Sequence, residues 1–166
     1  MAPRASGTIV QIGGSRTLVY ERRFAVDAQV LWAWTTESQK LGRWIGTWSG
    51  DPASGSVSFL MTAEGATDPE PVAVLVCEPP TRLTVEFAQP GGGVWHLELA
   101  IGATTEAGSI LTFTHVLQPA DDAGDIGPGW DYYLDRLYAA TAGVEPEPWE
   151  AYYPALASAY REASLD

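Results

Sequence analysis

The chain has 166 residues, 46% of them apolar and 18% charged, which is enough for a domain with its own core and excludes a disordered chain. Nine basic residues against 21 acidic ones leave a net charge of −12, so nucleic acid and anionic membrane surfaces are excluded as partners. The single cysteine, Cys77, excludes an internal disulfide and a cysteine-rich zinc module; no apolar run is long enough to span a bilayer and the opening residues lack a signal peptide's apolar stretch, so a cytoplasmic protein is expected.

Residues 17–26 alternate, with Leu18, Tyr20, Phe24 and Val26 on one parity and Arg22 among them. That pattern predicts a strand, with a hairpin partner over residues 8–12 turning at Gly13 and Gly14. Asp27 is an N-cap for a short helix over residues 28–35, with Val30, Leu31 and Trp34 turned inward and Trp32 aside. A further helical turn over residues 38–41 leads to Trp44. Residues 48–52 read as a turn, and strands follow over residues 55–63, 72–77 and 83–87, punctuated by Pro79, Pro80 and the Gln89–Gly93 stretch.

The next two strands, over residues 94–101 and 110–117, form a hairpin about residues 102–108. Trp95, Leu97, Leu99 and Ile101 make one face of the first strand; Leu111, Phe113, His115 and Leu117 make one face of the second. The register that buries both apolar faces places His115 among apolar neighbours and His96 on the polar side.

The strongest helix is expected over residues 128–143, with Pro128 in its first turn and Gly143 as its stop. Trp130, Tyr133, Leu134 and Leu137 recur along it at helical spacing. After Pro148, residues 149–163 form a weaker helix, broken or kinked at Pro154. Residues 121–166 carry ten acids against two bases, which reads as a solvated acidic face. The chain thus divides into a domain over residues 1–143 and a C-terminal tail over 144–166, part helical and packed on the domain. Sequential strands followed by one long helix give an α+β fold: a curved antiparallel sheet of about six or seven strands around the helix, with two short helices after the first strand.

No phosphate loop, nucleotide fingerprint or nucleophile elbow is present, and no internal repeat. His96, His115 and Cys77 are the only soft or borderline metal ligands, and the two histidines point to opposite faces, so no metal is expected. Asp131 and Asp135 share one side of the long helix, and Arg22 sits on an apolar parity, where its guanidinium either meets a carboxylate or lies at a cavity mouth. No catalytic constellation emerges and no cofactor is implied. His115 is the one ionisable group placed among apolar neighbours: a satisfied core histidine, a ligand contact or a general base.

An ordered set of segments carries a resemblance. These are residues 20–44 with Phe24, Trp32, Thr35, Leu41 and Trp44; Gly55-Ser56-Val57 with Phe59; Glu78-Pro79-Pro80-Thr81-Arg82-Leu83; Leu111-Thr112-Phe113-Thr114-His115; and Gly129 to Leu137. Together they resemble homologues of the activator of heat-shock-protein-90 ATPase, within the START-like or SRPBCC superfamily. The resemblance covers about residues 17–143 and implies a helix-grip fold with a deep, mostly apolar cavity between sheet and C-terminal helix.

Members of that superfamily bind lipids, hormones and polyketides, and some are enzymes, so the fold alone does not select a function. The expected function is binding of an apolar or aromatic small molecule in the cavity, drawing on Trp32, Trp95, Leu97, Phe113, His115, Trp130, Tyr133, Leu134 and Leu137. Two alternatives are a cyclase- or hydratase-like enzyme using His115 with Tyr132 or Tyr133, and a co-chaperone-like interaction module using the acidic C-terminal face. Eight arginines against one lysine, with no asparagine, suggest a GC-rich bacterial genome. The protein is expected to be a monomer or homodimer.

Overall fold

The computed structural model describes residues 2–165. Eight antiparallel strands form one sheet, β1 (Thr8–Ile12), β2 (Ser15–Phe24), β3 (Thr47–Ser49), β4 (Ser56–Leu60), β5 (Glu70–Glu78), β6 (Arg82–Ala88), β7 (Val94–Ala103) and β8 (Ser109–Val116), in the order β1-β2-β8-β7-β6-β5-β4-β3. The sheet is curved and does not close. Two short helices, α1 (Ala28–Thr36) and α2 (Ser38–Leu41), follow β2; the long α3 (Ala123–Ala142) and the short α4 (Ala157–Ala163) end the chain. This is the expected α+β helix-grip layout. Among the described residues no helix is long and apolar enough to cross a membrane.

The register follows from alternation. Leu97 faces His115, Leu99 faces Phe113 and Ile101 faces Leu111, so the two apolar faces unite as the sequence requires. Leu18 and Tyr20 continue that face onto β2 opposite His115 and Phe113. Asp27 caps α1 by accepting from the Val30 amide at 2.9 Å. Leu31 and Thr35 are the buried residues of that helix, while Val30 is exposed, against expectation. The reason is rotational: Leu31 and Thr35, four apart, take the inward line, and Val30 stands beside it.

Two elements differ most from the sequence reading. The eighth strand is β3, three edge residues pairing Thr47 with Leu60 and Trp48 with Phe59; the Gly-Asp-Pro run just beyond it hides so short a strand as a turn. The long helix begins at Ala123, not Pro128, because Asp122 caps it by accepting from the Gly124 amide at 2.8 Å. Pro128 sits inside the helix and removes one backbone donor there. Glycines at 124 and 127 disguise this first stretch, but packing demands at least the second: a Cβ at Gly127 would stand 2.5 Å from the Tyr160 ring. At its other end α3 stops at Gly143, whose φ of 69° is the left-handed cap expected. The expected break about Pro154 is present in residues 149–163. A 3-10 turn over Trp149–Ala151 precedes α4, and Tyr152 and Tyr160, each 1% exposed, pack this segment onto the rest of the chain.

Candidate functional site

Alternation fills the concave face of the sheet with Phe59 on β4, Val72 on β5, Leu83, Val85 and Phe87 on β6, Trp95, Leu97 and Leu99 on β7, and Phe113 on β8. From the opposite side come Trp130 and Leu134 of α3, one helical turn apart, and Trp44, Ile45 and Trp48 from the corner after α2. These walls do not meet. They enclose a cavity of about 390 Å³, within the size range of small-molecule sites.

Three of the four lining tryptophans, all but Trp95, spend their indole N–H on protein acceptors. Trp44 Nε1 donates to the Trp34 carbonyl at 2.8 Å, Trp48 Nε1 to the Thr36 carbonyl at 2.7 Å, and Trp130 Nε1 to His115 Nδ1 at 2.9 Å. Thr35 likewise spends its hydroxyl on the Trp32 carbonyl at 2.9 Å. A buried N–H without a partner is costly, so these bonds fix each indole and leave its apolar face as wall. Polar and charged lining groups gather where the strands end: Glu64, Glu70 and Gln89. Glu70 opposes Phe59 across the β4–β5 ladder and shares its parity with the buried Val72 and Val74, so an acid continues the apolar face out to the rim.

Five of the nine residues singled out from sequence, Trp95, Leu97, Phe113, Trp130 and Leu134, line this cavity together. The other four do not belong to its lining. Leu137 and Tyr133 are buried in the core, and Trp32 packs at the core's margin. His115 is fully buried behind the wall, its ring 4.7 Å from Trp95 and 6.0 Å from Trp130 between centroids. Because Nδ1 accepts from Trp130, the imidazole is neutral with its proton on Nε2, an atom buried without a partner among the described residues. Burial pushes the His115 pKa down to about 4, with Asp121 pulling weakly the other way.

Sequence reading missed Trp44, Trp48, Phe59, Val72, Val85, Phe87 and the rim acids. The signal was present in strand parity: Phe59, Val72, Val85 and Phe87 belong to the same inner face as Leu97 and Phe113, one ladder after another. The two tryptophans of the α2–β3 corner have no such period and are placed by the fold alone.

A second polar cluster lies on the far side of α3. Arg22 reaches carboxylates rather than the cavity mouth: it bonds Asp131 at 3.0 Å and also Asp135. Asp131, fully buried, accepts in addition from the Ser6 hydroxyl at 2.5 Å, the Ser6 amide at 3.2 Å and the Tyr160 hydroxyl. Tyr152 donates to Asp135 at 2.6 Å, and Tyr160 accepts from the Gly7 amide at 3.0 Å. Burial pushes the Asp131 carboxyl up, opposed by Ser6, Tyr160 and the Arg22 charge. The shared helix side of Asp131 and Asp135 thus serves a clasp joining the N-terminal segment, β2, α3 and the C-terminal segment. His96 stands on the convex side, Nδ1 2.9 Å from Glu86, away from both sites. Among the described residues no cluster of three or more His, Cys, Asp or Glu is placed to hold a metal ion.

The family described as activator of Hsp90 ATPase homolog 1-like protein matches residues 25–142, over two-thirds of the chain. No curated protein matches the sequence. Among solved structures, CalU16 from Micromonospora echinospora is similar over 100% of both chains, with a TM-score of 0.75 and 21% identity. A conserved protein of unknown function, EF2215 from Enterococcus faecalis, has a TM-score of 0.75 at 18% identity, over 96% of this chain and 90% of that one. DynU16, a putative protein in the dynemicin biosynthetic locus, has a TM-score of 0.60 at 15% identity, over 83% of this chain and 50% of that one. Identities this low show a shared helix-grip fold.

Proposed function

The chain belongs to the activator of Hsp90 ATPase homolog 1-like family, within the SRPBCC superfamily, and from that premise we propose that it binds an apolar or aromatic small molecule between its sheet and α3. The observation that carries this reading is the cavity of about 390 Å³ with aromatic walls, three of whose four indole N–H groups are bonded elsewhere. A packed interior leaves few voids larger than a water molecule, so a space of this size in the middle of a core is a stability cost unless a ligand uses it. Trp95, Leu97, Phe113, Trp130 and Leu134 contact the ligand, and His115 acts one layer behind, as the acceptor that holds Trp130 in place. A general acid or base at His115 would require a second polar group within reach; its one hydrogen-bond partner among the described residues is the Trp130 indole. Binding in a bacterial cytoplasm is part of the same proposal, as is its kinship in role with a protein of a biosynthetic locus such as DynU16.

The test is a fluorescence titration with the neutral probe N-phenyl-1-naphthylamine, on the native chain and on Val85→Phe, which fills the cavity from β6. Saturable binding is expected to the native chain, with a loss of about tenfold or more in the variant at an unchanged circular dichroism spectrum. Equal binding by both proteins, or none by the native chain, would overturn the reading.

A further inference from the structure

The charge at the rim points to the class of ligand. We propose that the cavity takes a cationic amphiphile: an apolar, ring-bearing body in the cavity with a protonated amine at the mouth between Glu64 and Glu70. This rests on the reading that the cavity binds a small apolar molecule, and narrows it.

Glu64 and Glu70 are the only charged residues in the lining, which holds no Lys, Arg or His. They bracket one loop, residues 64–70, at the end of the sheet where β5 begins and where Gln89 and Pro90 lie after β6. Glu70 is on the concave parity of its strand, so its side chain faces the same space as Val72. Neither side chain makes an ion pair or hydrogen bond among the described residues, so both have acceptor oxygens to offer. The two arginines nearest in sequence to the cavity's helical wall, Arg43 and Arg136, line a different hollow with Gly143 and Pro146.

The lining offers an anion no cation, and Trp95 carries its one indole N–H without a protein acceptor among the described residues. The indole N–H groups of Trp44, Trp48 and Trp130 are already donated to protein acceptors. A carboxylate or phosphate entering such walls would lose its hydration and gain at most the single Trp95 donor. A cation loses less, since aromatic faces attract it on the way and two carboxyl groups meet it at the rim. The net charge of −12 adds a long-range field of the same preference, drawing cations and repelling anions.

Three probes with one naphthalene body separate the possibilities by calorimetry at pH 7 and low salt: 2-(2-naphthyl)ethylamine, 2-(2-naphthyl)ethanol and 2-naphthylacetic acid. The amine is expected to bind most tightly, about tenfold or more over the acid, with the alcohol between. In the Glu64→Gln/Glu70→Gln double variant the amine falls to the affinity of the alcohol, while the alcohol itself is unchanged. Both positions are exposed at the rim, so this variant retains the fold. Equal affinities for amine and acid, or an order unaltered in the double variant, overturn the cationic proposal and leave the cavity reading standing provided Val85→Phe still blocks the alcohol. If no probe binds, the cavity reading itself falls, and this inference with it.

Discussion

On one side of the sheet, β2 and β8 lie against α3 and the C-terminal segment, and the space between is full: Leu18, Tyr20, Leu111 and Leu137 are 0% exposed. On the other side, the same kind of alternating strands, β4 to β7, hold walls that stand apart around an empty volume. The strands do not differ in pattern; what covers them does. Over β2 and β8 the helix is close, tied down by Arg22, Asp131 and Tyr160, with Gly127 letting the Tyr160 ring against the backbone. Over β4 to β7 the cover is shared by Trp130 and Leu134 of α3 and by a corner of chain between α2 and β3, propped by tryptophans bonded outward. Burial and alternation therefore identify a core, and the covering element decides whether that core is solid or hollow.

The largest expected effect is on the solid side. Residues 144–166 are proposed as a tail packed on the domain rather than a passive extension. Deleting them removes two fully buried tyrosines and one donor to Asp131, and should cost roughly 5 kcal/mol in urea unfolding. A truncated chain with the midpoint of the full one would show that the tail adds nothing. Asp131→Ala comes next. It leaves Arg22 without its buried partner and should cost about 3–5 kcal/mol, whereas Glu98→Ala, which removes an exposed partner of Arg82, should cost under about 1 kcal/mol.

The third effect sits at the boundary between the halves and depends on pH. His115 is held neutral with a pKa of about 4 against an ordinary 6.5, so the unfolded chain takes up this proton first as pH falls. The stability associated with the neutral imidazole is complete above about pH 6.5 and is lost progressively toward pH 4, about 3 kcal/mol at most. His115→Gln removes the titration, so the stability gap between native and variant should narrow as pH falls from 7 to 4. Parallel curves would contradict the neutral, buried assignment. The smallest effect separates the halves directly. Leu137→Ala in the solid core should cost about 1 kcal/mol more than Leu97→Ala on the cavity wall, because Leu97 already lacks neighbours on one side. Equal costs would mean that the wall is packed as tightly as the core.

Much of the solid half was legible in the sequence. The strand parities, the Asp27 cap, the register of the last hairpin and the stripe of α3 are local patterns, and each is recovered in the structure. The hollow half was legible only in part. Trp95, Leu97, Phe113, Trp130 and Leu134 came from three periodic segments read together, but the choice between lining and filling depends on distances that periodicity does not carry. Tyr133 and Leu137 show this, since they share the stripe with Trp130 and Leu134 yet lie in the packed core. The early start of α3 was hidden for a different reason: glycines at 124 and 127, the second required by the Tyr160 ring over thirty residues away in the chain, weaken the local helix signal.

Whether the hollow half is a ligand site is decided by a crystal structure with 2-(2-naphthyl)ethanol bound. The naphthalene ring is expected against Trp95, Phe113, Trp130 and Val85, with its hydroxyl toward Glu64 and Glu70 and the β2–β8 half unchanged. A cavity closed by rearranged side chains, or a ring lodged anywhere else on the molecule, would contradict the ligand-site reading.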